Sequence, residues 1–544
     1  MLLDLNKYSI TDIRKNYIEL KIGQYECFYN GFIYSKNKMM GKETIEYMIS
    51  ELIDSGKITY GNYYGTYHII IIDYNKKYGI CFTDNAGCNC FYYNKEKNVL
   101  SDSFLELTTV SKPLEPNCEA ITEFLLFNCV YSNSTICNKI NRLESNEFIR
   151  INNNIMYIEN KMLSSFNEVS SYKDMHSFLA DTAYSIGDEM QYNIVTGGAD
   201  SRTILSHFVN LNRDISLVIS GNESMQDVII AKEIANKLNL DLKISDEDIE
   251  ESESYLKELF IASDGVYGIF SRNRLYRMSI MLKDLNAKVV FGGVAGELYK
   301  NSFLNQDFPF LKIGRLNFKK FYRMKVLPKN IDNSYFTDKI KNISVNMEKI
   351  ISERLFHYED NFEKSKVYFN IGHYLLQHSA ITLGNSSSFY YNSSSPLFER
   401  DMLKLCYNVN PWKLELNKFQ RSEISKYCYD IANIKTDRGN SLNNSMLVIC
   451  KEMINSYLYL LKVAYKRTFR RNNKVGICNL PKIYKFGKNT GLFLKAIEKC
   501  KKLGIINDTL NGKDLPDELA DKLMTIGMLF EEVQDEYYKH EAWN

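Results

Sequence analysis

Short β-branched and aromatic runs broken by turn residues fill the first ~165 positions: YECFYNGFIYS, YGTYHIIIIDY, YGICFTDNAGCNCFYY and NEFIRINNNIMYIEN. They predict hairpin strands. Between them, KETIEYMISELIDSG carries apolar residues at helical spacing and ends at Gly56, a usual helix stop. The mixture predicts an α+β layer domain over residues 1–165.

From about residue 172 the pattern changes to strands alternating with helices. YNIVT precedes SRTILSHFVN, ISLVIS precedes SMQDVIIAKEIANKLN, DLKIS precedes a long acidic helix, and KVVF precedes GGVAGEL. That alternation predicts an α/β unit with a parallel sheet, whose ligands lie at the carboxyl ends of the strands. From Asn317 onward the pattern is mostly helical, with SSSPLFER and NIKTDRGNSLN as polar interruptions. Residues 166–544 are therefore expected to form the second domain, with a helical C-terminal part. The chain shows no internal repeat and no low-complexity linker.

Composition narrows the function classes. The 544 residues are 45% hydrophobic and 25% charged, the balance of a packed globular protein. With 68 Lys and Arg against 66 Asp and Glu, a formal net charge of +2 gives no case for nucleic acid as the main partner. MLLDLNKYSITDIRKN has no apolar run behind a positive start, and YHIIIIDY is far shorter than the ~20 residues of a membrane span. No membrane partner and a cytoplasmic location are expected. Twelve cysteines without paired CxxC sets and seven histidines without HExxH argue for reduced thiols and against a transition metal. Mg²⁺ stays open, because it takes carboxylates and phosphates.

Three smaller features read as structural. Cys88 and Cys90, on alternate residues, are expected as buried thiols on one face of a strand. IEESESYLKELF reads as an acidic helical surface. KVAYKRTFRRNNK, with six Lys or Arg, reads as a solvated helix end.

The stretch that carries chemistry is NIVTGGADSR, residues 193–202. A glycine pair after a buried strand lets backbone amides approach a ligand, and the following helix aims its N-terminal dipole at the same point. Asp200 would repel a bare phosphate, so it makes sense with Mg²⁺ bridging carboxylate and phosphate. The bland alternative is a strand-to-helix turn with Asp200 or Ser201 as N-cap. GxxxxGK[ST] and GxGxxG are both absent.

With Thr196 in place of the first Ser, the stretch resembles the S-G-G-x-D-S pyrophosphate loop of the ATP pyrophosphatase group. Around it, most of residues 25–440 resembles the asparagine synthetase family. GNYYGTYHIIIIDYNKKYGICFTDNAGCNCFYYNKEKNVLSDS is similar to that family's glutaminase domain, and FNCVYSNSTICNKINRLESNEFIRI to its connector. ISLVISGNESMQDVIIAKEIANKLNLDLKI, KVVFGGVAGELY, SSSPLFER and NIKTDRGN resemble successive parts of its synthetase domain.

The resemblance implies an N-terminal glutaminase-like β-sandwich of Ntn-hydrolase type with helices, and a C-terminal parallel sheet of adenine-nucleotide α-hydrolase type. It implies ATP and Mg²⁺ as cofactors. The nucleotide would be held by Thr196, Gly197, Gly198, Asp200, Ser201, Val218, Ser220, Gly221 and Gly292, and the metal by Asp200 and Glu297. Lys435 or Arg438 would supply the catalytic cation beside Glu297.

Two departures shape the expected reaction. Leu2 stands where the family has its nucleophilic cysteine, and the nearest cysteine is Cys27, so no ammonia from glutamine is expected. Gly293 and Gly296 stand where the family has acidic or tyrosine and aspartate residues, and Asn392 to Ser394 where it has E-x-R. The amine-activating base is therefore not visible; Asp264 and Glu399 are the candidates, unless catalysis is weakened. The expectation is an ATP-dependent carbon–nitrogen ligase that adenylates a carboxylate and joins it to an amine other than nascent ammonia. Ring closure of a precursor peptide, as in lasso peptide cyclases, stands slightly ahead of β-lactam-type small-molecule closure. A catalytically impaired scaffold, acting with a partner protein, is the alternative from another class. A glutamine-dependent asparagine synthetase is disfavoured by Leu2.

Overall fold

The computed structural model describes residues 1–11, 16–186, 191–307, 314–327, 332–355, 363–437, 439–455, 458 and 482–531. Its N-terminal part is built on eleven strands: β1 (Leu2–Asp4), β2 (Ser9–Thr11), β3 (Ile18–Ile22), β4 (Tyr25–Ser35), β5 (Tyr63–Asp73), β6 (Tyr78–Thr83), β7 (Tyr92–Asn94), β8 (Val99–Ser101), β9 (Asn141–Arg142), β10 (Glu147–Asn152) and β11 (Ile155–Asn160). They form two antiparallel sheets, ordered β11-β10-β6-β5-β4-β3 and β2-β1-β8-β7-β9. Helices α1 (Lys42–Ser55), α2 (Phe104–Val110) and α3 (Cys118–Phe127) flank them.

The run of isoleucines in β5 explains the layering. Successive strand residues face opposite sides of a sheet. Ile69 and Ile71 thus pack with Ile45, Met48, Ile49 and Leu52 of α1. Ile70 and Ile72 pack with Leu3, Phe91, Tyr93 and Leu100 of the second sheet. Each such buried isoleucine contributes about 1.5–3 kcal/mol. Phe104, Leu107 and Phe124 from α2 and α3 cover the outer side of that second sheet against Tyr92 and Val99. The result is four layers, helix on sheet on sheet on helix. Asn153 (φ 49°) and Asn154 (φ 64°) close the β10–β11 hairpin in the left-handed conformation that asparagine tolerates.

The second half is a parallel sheet of β12 (Gln191–Ile194), β13 (Ile215–Ser220), β14 (Leu242–Ser245), β15 (Val290–Phe291) and β16 (Ser393–Ser394), in the order β14-β13-β12-β15-β16. α4 (Met175–Ser185) precedes the sheet, and α5 (Asp200–Asn210), α6 (Gln226–Leu238), α7 (Glu253–Ala262) and α8 (Ile269–Asp284) run between its strands. Leu217 and Ile219 of β13 face α5 and α6, meeting Leu205, Phe208 and Ala231. Val218 faces the other way, toward Met278 and Leu282 of α8. Both faces of the sheet are therefore covered. The chain lays down β12 first, builds outward through β13 and β14, then returns to the opposite edge of β12 with β15. The loops after β12 and β15 both emerge at this reversal, where ligands of open α/β sheets bind.

Further helices are α9 (Phe318–Phe321), α10 (Asp338–Leu355), α11 (Lys364–Ser387), α12 (Arg400–Asn408), α13 (Lys418–Tyr427), α14 (Tyr429–Ala432), α15 (Lys482–Gly487), α16 (Gly491–Lys502) and α17 (Asp517–Phe530). No helix among the described residues is long and apolar enough to cross a membrane.

Buried polar groups join the two halves. Asn385 on α11 accepts from the Cys90 amide at 3.0 Å, lies 2.9 Å from His68 Nε2, and donates to the Asp102 carbonyl at 2.7 Å. Asp264, held at φ 52°, accepts from Ser103 Oγ at 2.5 Å and from the amides of Phe104 and Leu105 at 2.8 and 3.2 Å. It caps α2 from across the interface. Glu399 accepts from the Gly65 amide at 2.7 Å, and Asp401 from Tyr64 Oη at 2.6 Å.

Four sequence expectations change. The acidic helix after DLKIS is short, because Ser252 accepts from the Tyr255 amide and starts α7 there. KVVF contributes only Val290 and Phe291 to the sheet. SSSPLFER, expected as an interruption, supplies the edge strand β16, with Ser394 paired to Phe291. Cys88 and Cys90 are buried thiols as expected, but they sit in a turn whose amides at Gly87, Cys88 and Asn89 donate to Asp84. The basic stretch 462–474 lies outside the described residues.

Asn385→Ala leaves buried donors and an acceptor on both sides of the interface without partners, at roughly 1–3 kcal/mol for each. A lower urea midpoint is the expected outcome, and an unchanged one would show that the interface does not depend on this side chain.

Candidate anion-binding site

Val195, buried after β12, leads into Thr196–Gly197–Gly198–Ala199, and α5 begins at Asp200. The turn is tied internally: the Gly198 amide donates to Thr196 Oγ1 at 3.2 Å, and the Thr196 amide to Ser201 Oγ at 3.3 Å. The Gly197 amide donates to Asp227 Oδ1 of α6 at 2.8 Å. By helix geometry the first-turn amides of α5 have no carbonyl one turn back, which leaves that end electropositive.

Behind the turn lies Arg202, fully buried. Its guanidinium donates to the carbonyls of Gly197 at 3.2 Å, Ile434 at 2.8 Å and Lys435 at 3.0 Å. Burial lowers its pKa to about 10, so it stays charged at neutral pH. Through it the segment after α14 is fixed to the loop. Lys435 therefore has its backbone beside Gly197 while its side chain is exposed. Arg438 lies outside the described residues.

The loop after β15 closes over the other side. Gly292 donates to the Ser394 carbonyl at 3.0 Å, and Ala295 takes φ 68°, an uncommon conformation for a residue with a side chain. A Cβ on Gly293 would stand 2.9 Å from the Ser201 nitrogen, and one on Gly296 would stand 2.0 Å from Asp200 Cγ. The two glycines let the loop lie directly on Asp200.

Asp200 is in turn held by two side chains. Lys300 Nζ lies 2.6 Å from Oδ2, and Gln420 Nε2 from α13 donates to Oδ1 at 3.1 Å. A divalent ion at Asp200 would have to displace the ammonium. Glu297, the other expected metal ligand, lines a small cavity of about 30 Å³ with Leu298, Tyr368, Tyr407 and Leu414, and Asp200 is not part of that lining. Among the described residues, neither belongs to a group of three clustered ligating side chains. The residues present do not fit a Mg²⁺ ion lodged on Asp200 and Glu297; they fit a positive charge supplied by Lys300.

At the end of β13, Ser220 accepts through its carbonyl from Arg274 Nη2, and its Oγ lies 3.5 Å from the Arg274 carbonyl. Gly221, at φ 144°, holds a conformation that residues with a side chain rarely adopt, and a Cβ there would also press on Met225 Sδ at 2.7 Å. Val218 lies in the buried face described above. The expected loop residues are thus gathered at one edge of the sheet. Lys300, Gln420, Arg202 and Arg274 join them without having been singled out; only Arg202 and Lys300 had a sequence signal, as basic residues directly after the two loops.

The candidate bases lie elsewhere. Asp264 and Glu399 are buried at the interface on first-half amides, and burial pushes the Glu399 carboxyl well above its ordinary range while the Gly65 amide pulls it down. In the first half, Leu2 lies in β1 opposite Ser101, and Cys27 is buried in β4, where burial pushes its thiol up. The Met1 amine lies 2.5 Å from Asp102 and 3.3 Å from Glu106.

Gly296→Ala forces a methyl onto the Asp200 carboxylate, with an expected loss of about 1–3 kcal/mol by chemical denaturation. In an Asp200→Ala background the same change is expected to cost at least about 0.5 kcal/mol less, the coupling of residues in contact. Equal losses in both backgrounds would dissociate the glycine from Asp200.

No family model matches the chain, and no curated protein does.

Proposed function

We propose that the chain is an ATP-dependent ligase of the asparagine synthetase type, which adenylates a carboxylate and joins it to an amine other than ammonia released from glutamine. The observation that carries this reading is the meeting of two glycine loops at the reversal point of the parallel sheet, with cations around them. The four-layered first half, with Cys27 buried in a strand, supports a glutaminase-like shell that does not hydrolyse glutamine.

In this reading the amides at the start of α5 hold the leaving pyrophosphate, and Lys300 and Lys435 neutralise the charge that develops on it. Ser220 and Gly221 border the adenine side. The product class is a macrolactam closed within a precursor peptide, with β-lactam-type closure of a small molecule as the other member of the same chemistry.

A second reading is a nucleotide-binding partner protein without ligase activity. It is favoured by the Asp200–Lys300 pair, by Gly296 where an acid was expected, and by the capture of Asp264 and Glu399 at the interface.

ATP–pyrophosphate exchange with candidate peptides and small amino acids separates the two. Exchange that Lys300→Ala lowers supports the ligase; pyrophosphate binding without exchange supports the partner protein. Pyrophosphate binding is expected to survive EDTA and to weaken about 10–100-fold in Lys300→Ala, the worth of a charge-assisted hydrogen bond. Absence of nucleotide and pyrophosphate binding overturns both readings.

A further inference from the structure

Away from the loop, three helices bring His176, His207 and Glu423 together. His176 lies in the first turn of α4, His207 in the last turn of α5, and Glu423 midway along α13. His207 Nε2 is 2.9 Å from Glu423 Oε2, and His176 Nδ1 is 3.5 Å from the same oxygen. One donor atom from each of the three lies within 4.8 Å of those of the other two.

These separations suit a metal ion. With bonds of about 2.0–2.2 Å to nitrogen and oxygen, tetrahedral geometry places donor atoms about 3.3–3.5 Å apart. A shift of a few tenths of an ångström in Glu423 and an inward turn of His176 satisfy it. His207 and Glu423 are buried, and the His176 side chain is 35% exposed, which leaves an approach for the ion and for a water as the fourth ligand.

A separate observation points to a ligand. His176 Nδ1 is buried and makes no hydrogen bond, although it faces the carboxylate. Its other nitrogen, Nε2, lies 2.8 Å from Tyr427 Oη. The tautomer sets what faces Glu423: with the proton on Nε2 the Nδ1 lone pair points at the carboxylate and is open to a cation between them, and with the proton on Nδ1 the ring donates toward the carboxylate instead. Hydrogen-bonding one ring nitrogen of a ligating histidine is also how proteins set the orientation of the other.

We propose that His176, His207 and Glu423 form a Zn²⁺ site, with Tyr427 positioning His176. Two imidazoles and one carboxylate select zinc or a similar divalent transition metal over Mg²⁺ or Ca²⁺, which take oxygen ligands. The site clamps α4 onto the α5–α13 pair. It also bears on the loop: His207 follows Asp200 by seven residues, about 10 Å along the same helix. Gln420, one turn before Glu423 on α13, donates to Asp200. The metal therefore fixes the relative height of the two helices that carry both contacts, whichever ligand the loop takes.

The test uses the full chain stripped with a chelator and titrated with Zn²⁺ and Co²⁺. One equivalent of Zn²⁺ with a raised thermal midpoint, and visible Co²⁺ absorption of four-coordinate intensity, are expected. His176→Gln, on a half-exposed position that the fold tolerates, is expected to abolish that equivalent and the thermal shift. Tyr427→Phe is expected to weaken binding about 10–100-fold, the usual effect of losing a partner of a metal ligand. Zinc binding unchanged in His176→Gln, or no binding by the unmodified chain, overturns the proposal and leaves a hydrogen-bonded helix clamp. Because the readout is metal content and stability, it is independent of nucleotide binding and ligase activity.

Discussion

Everything at the sheet edge depends on the contact between the Asp200 carboxylate and the backbone of Gly293 and Gly296. A methyl group at either glycine would collide with Asp200 or with the peptide after it. That approach lets Lys300 reach Asp200 from the second loop, while Gln420 reaches it from α13. The same glycines that look like lost catalytic acids in the sequence are therefore the steric condition for closing the site. An acid at 296 and an aspartate at 200 would compete for one volume; the chain keeps the aspartate and brings a lysine to it.

The first half of the chain contributes to the second through desolvated carboxylates and amides. Asp264 ends a connection in the parallel-sheet half and caps a helix of the layered half, and Glu399 precedes α12 and binds a strand amide of the layered half. Breaking either would leave a buried charge or a buried donor without a partner, the costly side of hydrogen bonding in a low-dielectric interior. The layered half is thus a fixed support for the strands and helices that carry the loops.

Much of this fold was legible in the sequence. The isoleucine run of β5, the helix from Lys42 to Gly56 and the strand–turn–helix at 191–210 all announce themselves by hydrophobic period and by glycine. β16 did not, because Ser393 and Ser394 carry no hydrophobic period and become strand only by pairing with β15. In the site, the loop at 196–201 was visible as a motif, whereas the Lys300 and Gln420 contacts join positions 100 and 220 residues away in sequence. The histidine and glutamate cluster was hidden for the same reason: its members sit on three helices, with 216 residues between His207 and Glu423, a spacing that no local pattern can show.

Arg202 makes one more thing follow. It sits behind the turn, touches only backbone carbonyls, and retains its charge in an interior where fields are weakly screened. An anion arriving at the front of the turn would feel this charge through the peptide planes without ever contacting it. The turn therefore carries a fixed positive charge behind it that does not wait on any mobile side chain, set against the carboxylates of Asp227 and Asp437 beside Gly197.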